Sequence, residues 1–183
     1  MGTAKFNVIM KSQFRFSPIQ SKEELFEAIT HTHFACYELC IQYLGRAIPV
    51  AGNIGIFCHF EDEYEYLTGI RKELTDETKN WNNKYYLLHN PISIPARGAV
   101  PETTYKYLYI RKPEERQTHV GDVDFYLPPD EYQALKKKVE EGKFPKGVSL
   151  LQRPNLDLVR MVDEGNDASA FVGSYDLTHI VGV

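Results

Sequence analysis

Residues 103–127 read TTYKYLYIRKPEERQTHVGDVDFYL, and they contain the two clearest strand patterns of the chain. The first pattern spans residues 103–112 and the second spans residues 120–127, with turn-forming residues between them. Successive side chains of a strand point to opposite faces of a sheet, so each strand has one apolar and one polar face. If the two strands pair as a hairpin, their apolar faces must coincide. This pairing predicts Tyr109 opposite Asp122.

The polar face of this predicted hairpin combines aromatic, basic and acidic side chains. It consists of Tyr105, Tyr107, Tyr109 and Arg111 on the first strand, and of Asp122, Asp124 and Tyr126 on the second. A solvated sheet face would explain the pattern without any function, because tyrosines pair across strands and their hydroxyls can satisfy carboxylates. A concave face of this kind would instead bind a ligand.

Three functional hypotheses follow from this face. The first is a pocket for a small polar or anionic ligand, with the anionic group held by the Arg111 guanidinium and His119 at the rim. The second is an interface with a protein partner, which can be a second copy of the chain, because tyrosine offers a large rigid surface with a polar tip. In both cases the candidate binding residues are Tyr105, Tyr107, Tyr109, Arg111, Tyr126 and His119.

The third hypothesis is a metal site. Asp122 and Asp124 lie two positions apart on a strand and project in parallel, which suits a hard divalent cation such as Mg²⁺. Asp157 follows on a later strand, after a predicted helix. This order of acids resembles the carboxylate pattern of metal-dependent nucleotidyltransferases over about residues 119–160. The resemblance implies that Asp122 and Asp124 hold the metal while Asp157 assists in activating a hydroxyl.

The sequence departs from that family just before the paired acids. A strand and the residues Pro-Glu-Glu-Arg-Gln-Thr occupy the place where the family has a helix bearing Gly-Ser, which grips a triphosphate. No cofactor is expected for a binding protein, and Mg²⁺ is expected only for the transferase alternative. The sequence leaves open whether the protein is an enzyme.

The remaining patterns predict an α+β fold. Helical spacing predicts a long helix over residues 21–44, with a capping box at Ser21 and Glu24 and a C-terminal cap at Gly45. Two shorter helices are predicted: the acidic run 61–63 opens one, and Pro128 and Pro129 lead into the other. Further strands are predicted over residues 5–16, 54–60, 85–88, 92–94, 156–162 and 168–172, and an apolar tail spans 177–183. The order predicts an antiparallel or mixed sheet of about six to eight strands covered by three helices.

Composition limits the function classes. The chain has 183 residues and 43% hydrophobic residues, which suits a single domain over residues 1–183. Its formal net charge is −4, and nucleic-acid binding is therefore not expected. No run of 18 apolar residues occurs, so no membrane span is expected. The three cysteines form no CxxC motif, which favours reduced thiols and a cytoplasmic location.

Overall fold

The computed structural model describes residues 14–79, 83–175 and 179. Within them the chain forms the helices α1 (Lys22–Leu44), α2 (Glu61–Leu74) and α3 (Pro129–Glu140). The strands are β1 (Val50–Phe57), β2 (Tyr86–Ile94), β3 (Thr103–Arg111), β4 (Gly121–Tyr126), β5 (Val148–Arg153), β6 (Leu156–Met161) and β7 (Ala168–Gly173). The predicted strand over 5–16 lies outside the described residues except for 14–16, which form bends, and so does the tail 177–183 except for residue 179.

The strands form one seven-stranded sheet with the order β2-β3-β1-β4-β7-β6-β5. The pairs β1–β3 and β4–β7 are parallel, whereas the other neighbouring pairs are antiparallel. The sheet is therefore mixed. Together with the helices it confirms the predicted α+β fold.

All three helices pack on one side of this sheet, which we call the helix face. Ile54, Leu108, Val123 and Ala170 lie side by side across four central strands and belong to the large core beneath the helices. The opposite side carries Asp122 and Asp124, and we call it the aspartate face. A second, smaller apolar cluster lies there, built on the buried residues Ala51, Tyr85 and Leu158 with Tyr107 and Phe171 packed against them. The sheet thus has an apolar cluster on each side, and the three described helices cover the larger one.

Helix α1 begins and ends as its sequence predicts. The Ser21 hydroxyl accepts a hydrogen bond from the Glu24 amide at 3.1 Å, and the Glu24 carboxylate accepts one from the Gln20 amide at 2.7 Å. Gly45 ends the helix in the left-handed region at φ 73°, where an L side chain is disfavoured. The helix lies on β4, β7 and β1.

The predicted hairpin of residues 103–112 and 120–127 is wrong. Strand β1 lies between β3 and β4, parallel to the first and antiparallel to the second. Hydrophobic alternation shows which face of a strand is buried, but it does not show which strands are neighbours. The short connection from β3 to β4 therefore passes over β1 rather than closing a tight turn.

Two other strands differ from their predictions. Residues 85–88 and 92–94 belong to one strand, β2, which lies at a sheet edge and whose register shifts between Leu87 and Ile92. Pro91 lies in this irregularity, as expected for a residue that donates no backbone hydrogen bond. Strand β5 was not predicted. It occupies the other edge of the sheet, and its sequence VSLLQR does not alternate strictly between apolar and polar residues. None of the described helices is long and apolar enough to cross a membrane.

Candidate functional site

The predicted tyrosine row on β3 is divided between the two faces of the sheet. The Tyr105 hydroxyl lies 2.9 Å from Nδ1 of His33 on α1, so Tyr105 belongs to the helix face. Tyr107 lies on the aspartate face, where its ring meets that of Tyr85 edge-on with centroids 5.9 Å apart. Lys106 and Tyr107 both approach Gly52 on that side, which marks an irregularity that breaks the alternation of β3. The prediction that Tyr105 shares a face with Tyr107 and Tyr109 is therefore wrong.

Tyr109 and Asp122 meet above β1. Each is the register neighbour of Gly55, from opposite sides. The Tyr109 hydroxyl donates to Oδ2 of Asp122 at 3.3 Å, a long hydrogen bond. A Cβ atom at Gly55 would overlap both the Tyr109 ring and the Asp122 carboxylate. The absence of a side chain at Gly55 allows the two groups to touch across the intervening strand.

Asp124 is held by two donors from other strands. The Asn53 amide nitrogen donates to Oδ2 of Asp124 at 3.0 Å, and the Tyr85 hydroxyl donates to the same oxygen at 3.4 Å. Asn53 is only 1% exposed. Its amide oxygen finds no hydrogen-bond donor within the described part of the chain. The site therefore contains a buried acceptor that the described residues leave unsatisfied.

Burial dominates the electrostatics of the two carboxyl groups. It raises the pKa of Asp122 to about 7, assisted by the neighbouring negative charge of Asp124, while Lys84 and Arg111 oppose this rise. Burial also raises the pKa of Asp124. Two adjacent carboxylates in a poorly solvated place disfavour double ionisation. The pair therefore favours a bound proton, a cation or a hydrogen-bond donor.

His119 and Ser169 extend the site along the sheet. Ser169 is the register neighbour of Asp122, and its hydroxyl lies 2.6 Å from Nδ1 of His119. Burial lowers the pKa of His119, and the positive charge of Arg160 lowers it further. A neutral His119 offers one donor and one acceptor at the edge of the aspartate pair.

Arg111 and Tyr126 lie on the same face but make different contributions. The Arg111 guanidinium donates to Oε1 of Glu114 at 2.6 and 2.9 Å and lies over the Phe57 ring, 4.9 Å from its centre. Its charge is thus already paired with a carboxylate. Tyr126 follows Asp124 by two positions on β4 and is half-buried, so its side chain lies at the end of the aspartate face.

Asp157 does not join the other two aspartates. It lies on β6 two positions before Val159, which pairs with Val172 in the large core, and so it points to the helix face. Its carboxylate accepts a hydrogen bond from the Lys136 ammonium at 2.7 Å, on α3. The predicted set of Asp122, Asp124 and Asp157 is therefore wrong as one metal site, because the sheet separates its members. Within the described ranges, no group of three or more His, Cys, Asp or Glu residues could hold a metal ion.

Sequence reasoning missed four residues of the site, namely Asn53, Gly55, Tyr85 and Ser169. Asn53 and Gly55 lie in an apolar segment that is interrupted by the glycines 52 and 55. A glycine inside an apolar strand also marks a close approach by another group, and that was the available signal. No local signal marked Tyr85 or Ser169, since their contacts arise between strands that are distant in sequence.

The comparisons with known proteins identify no family for this chain. No family model matches it, and no curated protein does either. Among solved structures, 2,2′,3-trihydroxybiphenyl 1,2-dioxygenase from Sphingomonas wittichii strain RW1 matches with 10% sequence identity and a TM-score of 0.38. The match covers 70% of this chain and 42% of the dioxygenase chain, so this chain corresponds to less than half of that enzyme's length. A likeness this weak carries no argument about function.

Proposed function

We propose that this protein binds a small polar ligand on the aspartate face of its sheet. The observation that carries the proposal is the group formed by the buried residues Asp122 and Asn53 and the half-buried Asp124, which lies on the side of the sheet opposite the three described helices. Burying carboxyl groups without full compensation costs free energy, and proteins accept this cost mainly at sites that act on other molecules. Tyr85, Tyr107 and Tyr109 surround the group with aromatic surface and hydroxyls.

The burial of the central residues favours a small ligand over a protein partner. Asp122 is 6% exposed, Tyr109 is 4% exposed and Ser169 is 3% exposed. A protein surface laid over this face would touch its margin, such as Leu87 on the edge strand β2, and would leave the central polar groups unused. A small molecule needs only a few convergent polar groups to bind, and we therefore propose a ligand of this kind.

The charges favour a ligand that donates hydrogen bonds over an anionic ligand. The centre of the site offers carboxyl oxygens and the unsatisfied amide oxygen of Asn53, all of which are acceptors. Arg111 was the expected anion holder, but its guanidinium is already paired with Glu114. An anion at the aspartate pair would meet like charge. Amines and polyols present donors instead.

The test is a screen of small polar compounds by ¹H–¹⁵N correlation spectra of the whole chain. Amines, polyols, amides, carboxylates and inorganic phosphate are each added at millimolar concentration. We expect amines and polyols to shift the amide signals of Gly55, Asp122 and Ser169. Hits confined to the groove beside α1 that is lined by Phe34 and Arg97 would contradict the proposal, as would the absence of any shift at the three amides.

Two tyrosine variants provide the control. Tyr107→Ala removes aromatic surface from the aspartate face, and the affinity of the compounds that bind there should fall. Tyr66→Ala removes a 44% exposed tyrosine on α2 and should leave the affinity unchanged. Equal effects of both substitutions would show that the observed shifts do not report on this face.

A further inference from the structure

Three oxygen-bearing side chains come together on β1 and β4. Asp122 lies opposite Gly55, and Asn53, two positions before Gly55, bonds to Asp124, two positions after Asp122. These four residues are therefore neighbours on the aspartate face. Three of them, Asn53, Asp122 and Asp124, carry polar side chains. An acidic pair alone would be a weak indication of a ligand. The unsatisfied amide oxygen of Asn53 is a second observation, independent of the carboxylates.

The orientation of the Asn53 amide is determined by its neighbour. Its nitrogen lies 3.0 Å from a carboxylate oxygen of Asp124, which can only accept when ionised. Reversing the amide would place its oxygen against that oxygen, which is repulsive. The amide oxygen is therefore the free atom. It is buried in a side chain that contacts Asp124, and it lacks any donor from the described residues.

The surroundings of the two carboxyl groups resemble those of ligating carboxylates. Metal-binding carboxylates are themselves held by hydrogen bonds from a second layer of residues. Here Tyr109 donates to Asp122, while Tyr85 and Asn53 donate to Asp124. All three candidate ligands offer oxygen, which hard cations prefer. Two carboxylates also match the charge of a divalent ion.

We propose that Asn53, Asp122 and Asp124 hold one hard divalent cation such as Mg²⁺. Asn53 takes the place that the sequence pattern suggested for Asp157. The ion completes the coordination of the buried amide oxygen and compensates the charge of the carboxylate pair. The site lies within the face proposed for ligand binding, but it does not require that an organic ligand binds there.

Lys84 carries a positive charge that would compete with a bound cation. Its ammonium lies 5.5 Å from the centre of the Tyr109 ring and its charge acts on both carboxyl groups. If Lys84 were the counter-charge that the pair requires, no metal ion would bind. If the ion binds, Lys84→Met should strengthen binding, because it removes a competing positive charge.

The experiment uses Mn²⁺ as a paramagnetic substitute for Mg²⁺ in ¹H–¹⁵N spectra of the whole chain. Signals close to the ion broaden first. We expect the amides of Asn53, Gly55, Asp122 and Asp124 to broaden at substoichiometric Mn²⁺, and excess Mg²⁺ to restore them. Broadening centred elsewhere would overturn the proposal, and so would its absence at these amides at millimolar Mn²⁺.

Ligand and control variants complete the test. Asp124→Asn and Asn53→Ala should each weaken Mn²⁺ binding by about tenfold or more, by analogy with the loss caused by removing groups around metal sites. Asp157→Asn is the matched control, since that carboxylate lies on the helix face with Lys136. The Mn²⁺ affinity of this variant should equal that of the wild type. If Asn53→Ala disturbs folding, Asn53→Asp keeps an oxygen ligand and should retain binding. An effect of Asp157→Asn as large as that of Asp124→Asn would overturn the assignment.

Discussion

The hydroxyl of Tyr109 donates to the carboxylate of Asp122 at 3.3 Å, although the two residues lie on strands that are not neighbours. Strand β1 runs between them, and Gly55 is the residue over which they meet. The contact depends on the absence of a side chain at that position. The polar centre of the aspartate face is therefore built around a glycine in the middle of a buried strand.

Gly55→Ala should destabilise the protein. The new methyl group would overlap the Tyr109 ring and the Asp122 carboxylate, and relieving such a clash typically costs about 1–3 kcal/mol. Gly69→Ala is the matched control, because this helical glycine has open space around its Cβ position. Alanine there should stabilise α2 by up to about 1 kcal/mol. Urea unfolding of both variants measures the free energies, and a harmless Gly55→Ala would contradict the packing described above β1.

Asp122 should make stability depend on pH. Its pKa of about 7 in the folded protein lies above the usual value of 3.8, so the native state binds the proton more tightly than the unfolded chain. The resulting stabilisation is fully present below about pH 4 and is lost as the pH rises through 7. It amounts to at most about 4 kcal/mol. Asp122→Asn should remove this fall, which urea unfolding between pH 4.5 and 8 would reveal. Parallel pH curves for the variant and the wild type would show that Asp122 ionises normally.

His33 should make stability depend on pH in the direction opposite to that of Asp122. Burial, with a smaller effect from the charge of Arg97, lowers its pKa from 6.5 to about 4. The unfolded chain therefore takes up a proton that the folded protein resists, and stability is lost as the pH falls from about 6.5 through 4. The loss is at most about 3 kcal/mol. The unfolding temperature of His33→Gln should fall less over this pH range than that of the wild type. The unfolding temperature of His89→Gln, a variant at an exposed position, should fall as much as that of the wild type.

The aspartate face should not join two copies of the chain. Its central side chains are buried, and we therefore expect Tyr107→Ala to have the same mass as the wild type in light scattering at micromolar concentration. A lower mass for Tyr107→Ala, with Tyr66→Ala unchanged, would instead favour the alternative of an interface through the tyrosines.

Local patterns predicted the elements of this fold well because the forces that determine them are local. The capping box at Ser21 and the left-handed Gly45 bound α1 where the sequence places them. The acidic residues after Phe60 begin α2, near the positive end of its dipole. The paired aspartates of β4 share one face, as strict alternation requires.

The site itself was predicted only in part, because its remaining members depend on strand neighbours. Tyr105 lies on the helix face because an irregularity in β3 breaks the alternation of its side chains. Asp157 lies on the helix face because β6 directs that position towards the helices. Asn53, Tyr85 and Ser169 belong to the site because of contacts between segments that are far apart in sequence. Periodicity contains no information about such pairings.

The sequence by itself determined the α+β class, the helices and the alternation that places Asp122 beside Asp124. Only the tertiary structure decided that β1 separates β3 from β4, and that Gly55 lets Tyr109 reach Asp122 across it. The physical reason is that side-chain direction follows from the local backbone, whereas strand order follows from the burial of the whole sheet.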